Sequence, residues 1–175
     1  MFALRFDSSL ILEWSKKYPQ DYDTKVETRI APDVRARGYF LKDEFKTLCR
    51  WKTPRSKPLI ESNPDDFIRE VTRTALSTPN ERLRIEVLTL LNGVSWPTAS
   101  VVLHFTHQDL YPILDFRALW SLGVDVEKVD YGFEFWWAYA QFCRQLARET
   151  NVTMRVLDRA LWKYSDENQN VNRAS

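Results

Sequence analysis

The stretch of this chain best placed to do chemistry is Leu90-Leu91-Asn92-Gly93-Val94-Ser95-Trp96-Pro97-Thr98-Ala99-Ser100, followed by a single carboxylate, Asp115. Two apolar helical segments are joined by a turn too short to be anything but tight. Gly93 permits the left-handed backbone that such a turn needs, Val94 can tuck between the helices, and Ser95 stands where a helix cap belongs. The amides that follow, up to Thr98, fall in the first turn of the next helix, where N–H groups lack internal partners and the dipole end is positive. That geometry can cradle one phosphate, although many glycine turns between helices bind nothing. Asp115 also has two readings. It can cap the helix that begins after it, worth on the order of 1 kcal/mol, or its carboxylate can act on a substrate.

The order of these residues carries a resemblance. Gly93-Val94, Thr98-Ala99, the apolar Val101-Val102-Leu103 and Phe105, and then Pro112-Ile113-Leu114-Asp115 follow one another at separations similar to those of the helix-hairpin-helix DNA glycosylase superfamily. That superfamily includes endonuclease III, the adenine glycosylase acting opposite oxidised guanine, and the alkylbase glycosylases. The resemblance covers about residues 88–124. It implies an all-α fold, double-stranded DNA as partner, a phosphate held near Gly93, Val94, Ser95 and Thr98, and Asp115 as the catalytic carboxylate. Excision of a base from deoxyribose passes through a sugar with oxocarbenium character, which a nearby carboxylate stabilises while it orients water. The target base must leave the stack and be held by aromatic side chains; Tyr39, Trp51 and Trp96 are the candidates. Ser95 replaces the second glycine of the family's hairpin, and Pro97 stands where lyase-active members carry a lysine. The resemblance is therefore to monofunctional members, which use water rather than an amine nucleophile.

Other residues narrow the chemistry. Two cysteines, Cys49 and Cys143, cannot supply the four thiolates of an iron–sulfur cluster or a cysteine-rich zinc site, and buried free thiols are the simpler reading. His104 and His107 lack further converging ligands, so no metal and no cofactor is expected. The net charge of +1 is a weak sign of nucleic-acid binding, but residues 1–57 hold 13 Lys/Arg against 8 Asp/Glu. The densest cluster is Arg50-Trp51-Lys52-Thr53-Pro54-Arg55-Ser56-Lys57, in which Lys52 and Arg55 are candidate phosphate contacts. A solvated loop is the other reading of the same cluster.

These residues need helices to position them. Long segments between Pro and Gly carry helical rather than alternating apolar spacing, which predicts an all-α, multi-helix domain over 1–165 and a frayed tail over 166–175. Ser8 and Ser9 are expected to cap a first helix reaching about Tyr18. Residues 19–38, with Pro19, Pro32 and Gly38, read as a connecting loop. A helix over about 41–51 is expected to end before Pro54 and Pro58. Asn63-Pro64-Asp65-Asp66 and Thr78-Pro79-Asn80-Glu81 mark helix starts. Further helices are expected over about 96–107, from Asp115 to Gly123, over about 131–149, and from Thr153 to about Tyr164. The first apolar residues are interrupted by Arg5 and Asp7, and no run is long enough to span a bilayer, so an intracellular, cytoplasmic (nucleoid-associated in a bacterium) monomer away from membranes is expected. Two rivals to the enzyme reading remain open: a non-catalytic DNA-binding domain that keeps the hairpin, and a helical protein-interaction module using the Trp-rich surface.

Overall fold

The computed structural model describes residues 2–19 and 23–169, and these form an all-α protein. Its helices are α1 (Ile11–Lys16), α2 (Ala31–Arg37), α3 (Lys42–Lys52), α4 (Lys57–Glu61), α5 (Asp65–Ser77), α6 (Glu81–Glu86), α7 (Trp96–Thr106), α8 (Phe116–Ser121), α9 (Phe133–Glu149) and α10 (Met154–Asn168). Short 3-10 turns join several of them, and no strand occurs among the described residues. The chain packs as two compact units. Among the described residues one draws on 2–19, 112–130 and 135–169, the other on 23–111 and 131–134.

In the first unit α10 packs against α1 and α8. Ile11, Leu119, Trp136, Tyr139, Leu157 and Leu161 are all but fully buried. The N-terminal segment lies along the end of α8, where the Ala3 and Arg5 amides donate to the carbonyls of Leu122 (3.0 Å) and Ser121 (2.9 Å). The Ser121 hydroxyl donates to the Leu161 carbonyl at 2.6 Å, tying α8 to α10.

In the second unit α7 is the central element. Eight of its eleven residues are buried, from Thr98 to Thr106 except His104, so it is apolar nearly all round as an internal helix must be. The helices α2, α3 and α6 pack on it, and Val34, Phe45, Leu48 and Ile85 are fully buried. Thr72 on α5 is a buried polar link: its hydroxyl accepts from the Phe40 amide (3.0 Å) and donates to the Ile68 carbonyl (2.7 Å).

Several expected boundaries move, each for a local reason. Asp7 caps the first helical turn by accepting the Ser9 amide, so Ser8 and Ser9 lie inside that turn. The expected loop over 19–38 contains a π-helical turn, Val26–Ile30, running into α2. Val26, Ile30, Ala31 and Val34 are buried at helical spacing; Pro32, which has no N–H to donate, stands where the π-helical turn gives way to α2, and Gly38 (φ +82°) closes that helix. Pro58 lies in the first turn of α4 rather than ending α3. Asn80, not Thr78, caps α6, through the Leu83 amide at 2.9 Å. The last helix runs on to Asn168, so the start of the expected tail is helical, while residues 170–175 lie outside the described residues.

Candidate functional site

The bend between α6 and α7 is built from below by α4. A 3-10 turn, Val87–Leu90, follows α6, and the Val94 amide donates back to the Leu91 carbonyl at 3.0 Å. Gly93 has φ +79°. A Cβ added there would lie 2.9 Å from Leu59 Cβ and 3.1 Å from Ile60 Cδ1, so the bend both needs the left-handed conformation and presses its backbone onto α4. Asn63, just after α4 and only 1% exposed, fastens it: its Oδ1 accepts from the Asn92 amide (2.8 Å). Its Nδ2 donates to the carbonyls of Asn92 (3.0 Å) and Ile60 (3.0 Å). One side chain thus satisfies both backbone groups of Asn92, as a neighbouring strand would. The Asn92 side-chain Nδ2 donates to Ser62 Oγ at 3.1 Å.

Ser95 occupies the N-cap position of α7 through its extended backbone (φ −100°, ψ 174°), and its carbonyl accepts the Ala99 amide at 2.8 Å; its hydroxyl does not cap. The bend lines a shallow surface depression of about 450 Å³, walled by Thr89–Ser95 and, from the other side, Ser56. Within it Asn92 and Ser95 are exposed and Val94 is buried between the helices. Thr98 is 1% exposed, so its hydroxyl faces the interior rather than the surface.

The basic cluster reaches the same place through one short turn. Arg55 is exposed in the 3-10 turn Pro54–Ser56, next to the residue that walls the depression, and Lys52 is half-buried at the end of α3. Among the described residues, none of the three candidate stacking aromatics lines the depression. Tyr39 is flanked by the guanidiniums of Arg37 (5.1 Å) and Arg73 (4.8 Å). Trp51 meets Phe105 edge-on at 5.4 Å. Trp96 is half-buried in the first turn of α7.

Asp115 belongs to the first unit. It caps α8: Oδ1 accepts the Arg117 amide at 2.9 Å, its carbonyl accepts the Leu119 amide at 2.9 Å, and the residue is half-buried. The wholly buried Tyr139 senses its charge. Burial first, then coupling to the neighbouring Cys143 and the negative charges of Asp158 and Asp115, push the Tyr139 phenol well above its ordinary range. The phenol accordingly stays protonated and donates to the Ile113 carbonyl at 2.8 Å, anchoring the segment that leads into Asp115. Arg117 pairs with Asp166 at 3.4 Å and lies over the Trp162 ring at 5.1 Å.

The other singled-out residues are held by protein groups. His104 Nδ1 is 2.7 Å from the Tyr111 carbonyl, and His107 meets the Arg84 guanidinium. Cys49 and Cys143 are buried free thiols. Among the described residues there is no group of three or more metal-type ligands, and no helix is long and apolar enough to cross a membrane. Sequence reasoning missed Asn63 as a brace, reading it as a helix start; its bond partner Asn92 is 29 residues away, and no local pattern announces it. No protein-family model matches the chain, and comparison with curated proteins and with solved structures finds no match.

Proposed function

We propose that this protein is a monofunctional DNA N-glycosylase that grips duplex DNA at the Asn92–Ser95 bend and removes a modified or mispaired base with the help of Asp115. The observation that carries the reading is the bend itself. A glycine at φ +79°, seated on α4 and fastened by a buried Asn63, opens an eleven-residue helix at the surface. The Asn92 amide is held by Asn63, the Val94 amide by the Leu91 carbonyl, and Pro97 has no N–H, so the Gly93 and Ser95 amides and the positive dipole end of α7 are what the bend offers a phosphate. Arg55 beside it adds charge without reading sequence.

The carboxylate follows from the order of the chain, which resembles that of helix-hairpin-helix glycosylases. In this reading Asp115 stabilises the sugar cation as the base departs and orients the attacking water. Its capping bond fixes the carboxyl group through Oδ1. Pro97, in the position where lyase-active members carry a lysine, leaves water as the nucleophile. A second reading, a DNA-binding domain without activity, is favoured by Tyr39, whose ring already lies between two arginines.

Purified protein incubated with duplexes that each carry a different single lesion tests both. The enzyme reading expects abasic sites on at least one duplex, and affinity that falls as salt rises. Salt-dependent binding with no abasic product on any duplex supports the second reading. Affinity indifferent to salt contradicts both.

A further inference from the structure

The second unit carries cations that this reading does not use. Lys46 and Arg50 stand one turn apart on α3, Thr53 closes that helix, and Lys57 opens α4. With Ile60 and Glu61 they line one narrow crevice that their long side chains fill, so a ligand would sit at its mouth. Three cations and one carboxylate line it together because α4 packs back against α3 across the Pro54–Ser56 turn.

Such a concentration of like charge favours an anion, and the existing pairs are weak competitors. Lys46 bonds Asp43 at 3.1 Å, but that aspartate side chain is 93% exposed. Arg50 bonds Glu61 at 3.0 Å, with both side chains more than a third exposed. Exposed pairs of this kind contribute little, and a phosphate that meets several cations together gains charge-assisted hydrogen bonds from each. Thr53 Oγ1 now donates to the Cys49 carbonyl over a long 3.4 Å, so it can turn outward at small cost.

We propose that Lys46, Arg50, Lys57 and Thr53 form a phosphate-binding site. Glu61 in its wall tempers affinity. The segment 53–57 lines this crevice through Thr53 and Lys57 and the hairpin depression through Ser56. The source of phosphate that suits this placement is a further phosphate of the strand held at the bend; that source rests on the DNA reading above, whereas the site itself does not.

The full chain is titrated with inorganic phosphate and with pyrophosphate at constant ionic strength, following amide resonances of Thr53, Ser56 and Lys57. Saturable shifts are expected. Lys46→Gln at a half-buried position with Lys57→Gln at an exposed one should weaken binding roughly tenfold or more, and Glu61→Gln should strengthen it. Absent saturation, or affinities unaltered by these variants, overturns the site. In a second arm, duplex binding is measured against salt. The double variant should reduce the magnitude of the logarithmic salt slope by about 1. An unchanged slope alongside lost phosphate binding overturns the strand as source and leaves free phosphate. A parent protein that binds no duplex refutes the proposed function, while the phosphate titration still decides the site.

Discussion

Replacing Gly93 by alanine perturbs the bend in two ways that can be weighed separately. At φ +79° an L-residue pays a conformational cost of about 1–2 kcal/mol. The new Cβ also lands 2.9 Å from Leu59 Cβ and 3.1 Å from Ile60 Cδ1, well inside the 3.5–4.0 Å of ordinary carbon contact. Leu59 Cβ is fixed to the α4 backbone, so α4 or the bend must shift, and overpacking of this sort costs about 1–3 kcal/mol. Together these give about 2–5 kcal/mol. Gly38 supplies the control: it has φ +82°, but nothing lies within 4 Å of its added Cβ, so Gly38→Ala carries the first cost without the second. In urea, with a slope of about 2 kcal/mol per molar, Gly93→Ala should lower the midpoint by about 1–2.5 M and Gly38→Ala by about 0.5–1 M. Equal midpoints for the two variants would refute the claim that the bend is seated on α4. Weaker duplex binding should accompany only Gly93→Ala.

Asn63→Ala removes the side-chain partner of both the Asn92 amide and the Asn92 carbonyl, whereas the Ile60 carbonyl keeps the backbone amide of residue 63. A loss of about 2–3 kcal/mol in urea denaturation is expected, with faster hydrogen exchange at the Asn92 amide; unchanged exchange would show that the brace is dispensable. Burial pushes the Cys49 and Cys143 thiols well above their ordinary range, so a disulfide reagent at pH 8 should find no reactive thiol in the native protein and two after denaturation. Because those folded-state values are raised, the stability they contribute is present below the ordinary thiol value of about 8.5 and should decline as pH rises above it. Urea midpoints at pH 7.5 and 9.5 check the sign. Asp115→Ala should cost about 1 kcal/mol through the lost cap, and Asp115→Asn close to nothing.

What could be read from the residues alone follows the range of the interaction involved. Caps are local, so Asp115, Thr153, Gly93 and Gly123 stand where their types announced them. The α2 segment reads as a loop from its residues although Val26, Ile30 and Val34 recur at helical spacing, because Pro32 and Gly38 carry the same letters within and at the end of a helix as in a loop. Nothing local distinguishes those cases. Asn63 and the crevice at Lys46 depend on how α4 folds back, a tertiary event without a sequence pattern. Tyr39 looked available for stacking because Arg73, 34 residues on, cannot be placed beside it from spacing.

The central claim is that a base leaves DNA through the action of Asp115, and single-turnover base release by Asp115→Asn measures it most directly. Asparagine keeps the cap and the fold, so on the duplex that the parent protein cleaves, the variant should bind with unchanged affinity and salt dependence. Its rate of abasic-site formation should fall at least a hundredfold, on the order of what a lost charge-stabilising group costs. A variant that releases base as fast as the parent would contradict the account.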